Sequence, residues 1–199
     1  MEFSLDRDVL LSSLNHVQGI VEKKNTLQIL SNVLIQADNS KLRLTSTDLD
    51  IIFIEEISNL VVNQQGSTTT SASILYDIVK QCTANSKLEF KLISESKLEL
   101  KSENSKFNLK CLSPNDFPLS EEDFKGNEFV LESKKLLKLI NKTKICISSD
   151  ETRHYLSGIF FHKTKIDDSS FLTAVATDTH RLSVSNIKLD SDINFESII

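Results

Sequence analysis

Ala176-Thr177-Asp178-Thr179-His180-Arg181-Leu182 ends an apolar run in the second half of this chain, and Thr45-Ser46-Thr47-Asp48-Leu49-Asp50 is its fainter copy in the first half. Each closes the same succession: a helical pattern, an apolar strand, a second strand, then Thr-Asp. Upstream, Phe3, Leu5, Leu10, Leu11 and Leu14 recur 126 positions later as Phe129, Leu131, Leu136, Leu137 and Ile140. Leu30, Ser31, Val33, Leu34 and Ile35 recur at that offset as Leu156, Ser157, Ile159, Phe160 and Phe161. After a four-residue insertion, Leu42, Thr47 and Asp48 answer Leu172, Thr177 and Asp178. One offset held over some thirty positions is a long-period duplication, longer than the common solenoid repeats.

The chain reads in order as follows. Residues 1–5 alternate as a short strand, and Asp6 is the N-cap of a helix spaced by Leu10, Leu14, Val17 and Val21. Gly19 and Lys23-Lys24-Asn25 end it. Residues 28–36 read as a strand, Leu42 and Leu44 mark the next, and Ile51 to Ile57 a third. The order then repeats: a strand over 60–70 interrupted at Gln64-Gln65-Gly66, a helix from Ser71 to Cys82, and three alternating strands. Leu88, Phe90 and Leu92 line the first of these, Leu98 and Leu100 the second, Phe107, Leu109 and Cys111 the third. The fold class is therefore α+β, built from a strand-helix-three-strand unit made twice, with each helix burying an apolar stripe on a sheet.

The acidic 120–128 segment reads as a linker, giving a first domain over 1–122 and a second over 123–199. In the second, a strand is expected at Phe129 and a helix from Ser133 that buries Leu136, Leu137 and Ile140. Strands follow at 155–162, 171–176 and 182–188. No counterpart of 60–112 follows within the 199 residues, so the second unit reads as truncated.

Composition narrows the function. A net charge of −5 means that any attraction to nucleic acid must be local. Cys82, Cys111 and Cys146 are scattered and odd in number, fitting neither a metal set nor a disulfide framework, and no cofactor motif occurs. With no signal-peptide pattern and no membrane-length apolar run, a cytoplasmic protein is expected. Asp178, His180 and Ser183 suggest a hydrolytic set only superficially, because side chains two apart on a strand share a face without being in proton-transfer contact. No catalytic residue is assigned.

Thr26-Leu27-Gln28-Ile29-Leu30-Ser31-Asn32, Leu44-Thr45-Ser46-Thr47-Asp48-Leu49, Asn115-Asp116-Phe117-Pro118, Arg153-His154-Tyr155-Leu156-Ser157-Gly158 and Ala176–Leu182 occur in one order along the chain. In them the sequence resembles the bacterial DNA polymerase III beta subunits, the sliding clamps. That resemblance implies the DNA-clamp (processivity) fold, three such domains in a crescent, and two crescents closed head-to-tail around duplex DNA. Helices line the hole and antiparallel sheets form the outer wall. It implies a non-catalytic processivity factor with no cofactor or metal. Its partners are double-stranded DNA read without sequence preference, the replicative polymerase alpha subunit and other polymerases, the clamp-loader complex, and a second copy in a homodimer.

The resemblance also implies roles. Lys24, Arg153, His154 and Tyr155 fall at DNA-facing positions, His154 in place of an aromatic residue. The stripe Lys134, Lys138, Lys142, together with Lys80, supplies the sequence-independent attraction to phosphate that sliding needs. Leu156, Thr177, Thr179, His180, Arg181 and Leu182 fall on the domain-two wall of the cleft that accepts short partner peptides. Thr179 stands where a glycine is usual. Phe107 and Leu109 match the strand of domain one that meets the neighbouring subunit. The rival reading is a clamp fragment or interaction module that keeps the fold but forms no ring.

Overall fold

The computed structural model describes residues 1–21, 27–103, 105–119, 129–150, 152–167, 169–189 and the backbone of 196–198. The chain divides into two compact units, Met1–Glu121 and Glu122–Ile199.

In unit 1, the strand β1 (Glu2–Asp6) leads into the helix α1 (Arg7–Val17). Asp6 sits at the N-cap in extended geometry but makes no side-chain cap bond. The segment 28–36 splits: Gln28–Ser31 forms one 3-10 turn, and the strand β2 begins at Asn32 and runs to Asp38. It is followed by β3 (Lys41–Thr47), β4 (Ile52–Ile57) and β5 (Val61–Gln64). The second half contains β6 (Gly66–Ser71), α2 (Ala72–Gln81), β7 (Lys87–Ser94), β8 (Lys97–Ser102) and β9 (Ser105–Leu112). Ser71 caps α2 by accepting from the Ile74 amide. On α2, Leu75, Val79 and Ala72 face inward, whereas Ile74 is exposed.

All nine strands share one sheet, in the order β4-β3-β2-β6-β9-β8-β7-β1-β5. The two halves exchange their leading strands: β6 pairs with β2, and β1 pairs with β7. Leu10, Leu14 and Val17 of α1 share one core with Leu75 and Val79 of α2 and with Phe3, Leu88, Phe90, Leu98 and Leu100 of the strands. Phe3 and Phe90, opposite each other across β1 and β7, stack with ring centroids 4.7 Å apart.

Unit 2 repeats the first half. Its helix α3 (Ser133–Thr143) lies at α1 plus 126 at both ends. A four-stranded antiparallel sheet follows, from β10 (Phe160–Ile166), β11 (Ser169–Thr177), β12 (Leu182–Lys188) and β13 (Glu196–Ile198), in the order β12-β11-β10-β13. β13 occupies beside β10 the place that β6 takes beside β2.

Three expectations fail here, two of them for one reason. Residues 129–132 form no regular strand. Their counterpart β1 is a strand by virtue of pairing with β5 and β7, and among the described residues no strand pairs with 129–132. Likewise α3 does not bury Leu136 and Leu137. They are 38% and 57% exposed, where Leu10 is 1%. In unit 1 the helix α1 packs against α2; among the described residues α3 packs on β11, β12 and the turn Lys144–Cys146, and buries Leu139 and Thr143 instead. Third, the strand expected at 155–162 starts at Phe160, because His154–Leu156 is a 3-10 turn.

Candidate nucleic-acid and peptide interface

The Thr-Asp turns that end β3 and β11 are built alike, atom for atom. Asp48 Oδ1 accepts from the amides of Asp50 (3.1 Å) and Ile51 (2.7 Å). Asp178 Oδ1 accepts from those of His180 (3.1 Å) and Arg181 (2.9 Å). Thr47 and Thr177 each accept, at Oγ1, the amide two residues on. The residue after the aspartate is left-handed both times, Leu49 at φ 86° and Thr179 at φ 75°. An aspartate that satisfies two turn amides is the local reason for Thr-Asp at this place.

In unit 2 the turn is further braced. Arg181 Nε donates to Asp178 Oδ2 at 2.8 Å, and Thr177 Oγ1 donates to the Arg181 carbonyl. The Arg181 guanidinium, with help from the two amides, lowers the Asp178 carboxyl to about 2. A depressed carboxyl stabilises the fold above its unfolded value near 4, and that contribution fades as pH falls through the folded value. Unit 2 is therefore expected to lose stability between about pH 4 and pH 2. Denaturant midpoints at those two pH values check this, and the pH slope should flatten in Asp178→Asn.

Thr179 holds a left-handed conformation that glycine adopts more readily. A β-branched residue with φ near +75° is strained by on the order of 1–3 kcal/mol, while glycine costs about 0.5–1 kcal/mol in unfolded-chain entropy. Thr179→Gly is accordingly expected to stabilise unit 2 by about 1 kcal/mol, read from its denaturation midpoint.

A surface cavity of about 370 Å³ lies between this turn and the 147–153 loop, lined by Asp150, Arg153, Thr179, His180 and Arg181 among others. It brings together three residues of the expected peptide wall and one of the expected DNA set. Leu156, Thr177 and Leu182 do not line it; Leu156 is half-buried in the 3-10 turn, and Leu182 is exposed at the start of β12. The sequence reading missed Asp150. Its Oδ1 accepts from the Thr152 hydroxyl (2.6 Å) and amide (3.0 Å), and its other oxygen pairs with Arg153 at 3.3 Å. The signal was present in Asp150 two residues before Thr152, an Asx-turn spacing.

Lys134, Lys138 and Lys142 are exposed along one stripe of α3, whose buried residues are Leu139 and Thr143, with Lys135 and Lys144 also exposed. Among the described residues none of the three makes an ion pair. Lys80 is exposed in the last turn of α2, its ammonium 5.6 Å from the Tyr76 ring. His154 and Tyr155 are exposed in the 3-10 turn, Tyr155 at 68%. Lys24 lies outside the described residues. Leu109 is buried in the core of unit 1 and Phe107 packs against that core. Asp178, His180 and Ser183 form no relay: Arg181 holds the carboxylate, and Ser183 Oγ donates to the Lys142 carbonyl. Among the described residues no cluster of His, Cys, Asp or Glu could hold a metal, all three cysteines are free, and no helix is long and apolar enough to cross a membrane.

Comparison with known proteins gives one result throughout. Residues 1–121 match the profile of the DNA polymerase III beta subunit N-terminal domain, and 130–199 that of the central domain. A beta sliding clamp of Caulobacter vibrioides is 35% identical over 188 residues, which is 94% of this chain and 50% of that protein. One from Buchnera aphidicola is 33% identical over 199 residues, covering 100% and 53%. The crystal structure of the DNA polymerase III subunit beta of Pseudomonas aeruginosa superimposes with a TM-score of 0.90 at 32% identity, over 100% of this chain and 53% of the other. The chain spans about half the length of the curated relatives it matches.

Proposed function

The chain belongs to the DNA polymerase III beta-subunit family, the beta sliding clamps, and from that premise we propose that it carries the DNA-facing and partner-facing surfaces of a replication processivity factor. It does no chemistry. It holds duplex DNA without reading it and tethers the polymerase alpha subunit and other polymerases, and a clamp loader acts on it, in the cytoplasm. The single observation that carries this reading is the lysine stripe of α3, solvent-facing and without an ion pair among the described residues, on a helix that repeats α1 in both its bounds. Unpaired ammonium groups on one helical face attract phosphate and carry no base information. Arg153, His154 and Tyr155 of unit 2, and Lys80 and Lys24 of unit 1, are assigned to DNA with it. Leu156, Thr177, Thr179, His180, Arg181 and Leu182 form one wall for short partner peptides, with Leu182 as the exposed apolar anchor. Phe107 and Leu109 support a subunit interface in the full-length homodimer.

The test is binding to 30-base-pair duplexes of unrelated sequence, followed by fluorescence anisotropy. Equal affinities that fall steeply with salt are expected. A marked preference for one sequence, or nucleotide turnover by the purified chain, would overturn the reading.

The rival reading is a clamp fragment or interaction module that keeps the fold but closes no ring. These 199 residues alone are then expected to leave nicked circular and linearised plasmid equally fast in gel filtration at 0.3 M salt. Retention on circles only would contradict it.

A further inference from the structure

The polar groups at the end of α2 are gathered by a side chain from the other half of unit 1. Arg7, the first residue of α1, donates from Nε to the Val79 carbonyl at 2.9 Å and from Nη2 to the Lys80 carbonyl at 2.6 Å. Its remaining nitrogen, Nη1, meets Asp8 Oδ1 at 2.6 Å, and Asp8 Oδ2 accepts the Asn85 amide at 2.7 Å. The Arg7 amide itself donates to the Ser86 carbonyl at 2.9 Å. The last carbonyls of a helix lack partners within it, and α2 ends in an extended C-cap at Cys82 rather than in a glycine cap. A guanidinium fork suits two such carbonyls and the negative end of the helix dipole. These bonds lock the first turn of α1 to residues 79–86.

The duplication gives this clasp a consequence for charge. Lys134, Lys138 and Lys142 of α3 answer, at the 126-residue offset, to Asp8, Ser12 and His16 of α1. None of the three offers a free cation: Asp8 is acidic, Ser12 is neutral, and His16 meets Glu55 at 2.9 Å. Lys80 is the only lysine on α1 or α2. Arg7 adds no free charge of its own, because its side chain is 12% exposed and all its nitrogens are engaged. What it does is act on its neighbours. It holds the carbonyl of Lys80, and so the turn from which the lysine projects. It also cancels the acidic charge that stands where unit 2 has Lys134. The Arg7 guanidinium first, and the Asn85 amide second, keep the Asp8 carboxyl below its ordinary range.

We propose that Arg7 is a positioning residue for duplex DNA, setting the last turn of α2 and with it Lys80, and neutralising Asp8. The proposal rests on the DNA-facing reading of Lys80 and works through that lysine, not through contact between Arg7 and phosphate.

Arg7→Lys tests it on the whole chain, since lysine keeps the charge and loses the fork. In anisotropy with the 30-base-pair duplex at 0.1 M salt, Lys80→Ala should weaken binding about fivefold and Arg7→Lys about threefold. The double variant should bind no more weakly than Lys80→Ala alone, the coupling expected of residues that act as one. A second readout needs no DNA. The Cys82 amide, which donates to the Ile78 carbonyl, should exchange its hydrogen about tenfold faster in Arg7→Lys, with the amides of β2 and β3 unchanged. Unchanged exchange at Cys82, or an Arg7→Lys loss that persists in the Lys80→Ala background, overturns the proposal and leaves the DNA reading standing. Faster exchange with no effect of Lys80→Ala on binding overturns it through the reading beneath it. A variant that does not fold, judged by circular dichroism melts, also overturns it, since Arg7 would then hold the core and not the helix end.

Discussion

Replacing Lys134, Lys138 and Lys142 together by alanine is expected to weaken duplex-DNA binding about a hundredfold at 0.1 M salt while leaving the fold intact. Each phosphate neutralised contributes roughly 0.9 to the slope of log K against log salt, so three lost lysines flatten that slope by nearly 3. Binding curves of the variant and the parent should converge near 1 M salt and separate as salt is lowered. Stability should hardly change: the three side chains are exposed and make no ion pair among the described residues, and alanine is the strongest helix former. An unchanged slope would mean that the stripe is a solvated helix face and nothing more.

The second large effect concerns the core. Phe90→Ala is expected to destabilise unit 1 by about 3–5 kcal/mol. Phe90 is buried on β7, stacks on Phe3 of β1, and so joins the strand that one half of the unit lends to the other. Its removal leaves a cavity at the seam between the halves and strips Phe3 of its aromatic partner. The buried residues of unit 2 form a separate cluster around Leu139, Phe161 and Leu172. Calorimetry should therefore show one transition shifted down and the other left in place. A uniform shift of both would contradict two independent cores.

How much of this was legible in the sequence depended on how local each feature is. The helices were readable because 3.6-residue periodicity and hydrogen bonding are internal to them: α3 begins and ends where the 126-residue offset from α1 says it should. The Thr-Asp turns were readable for the same reason, since the aspartate satisfies amides two and three residues away. What depended on distant partners was not. Phe129 and Leu131 match Phe3 and Leu5 in type, yet only the latter pair lies in a strand, because β7 and β5 flank it. Leu136 and Leu137 match Leu10 and Leu11, but burial of that stripe needs a second helix alongside. In the site, the Asp150–Arg153 pair and the cavity shared by Arg153 with Thr179, His180 and Arg181 came from the meeting of two loops some thirty residues apart, which no local spacing announces. Thr179 showed the reverse case. As a residue it looked like a simple departure from glycine, and only its φ of 75° reveals what the glycine is for.

Lysine footprinting tests the central assignment most directly. The chain is acetylated with and without a saturating 30-base-pair duplex, and each lysine is read by mass spectrometry. Lys134, Lys138, Lys142 and Lys80 should be protected, while the exposed sheet lysines Lys41, Lys101 and Lys106 react as before. Protection of the sheet lysines with the α3 stripe left reactive would contradict the account.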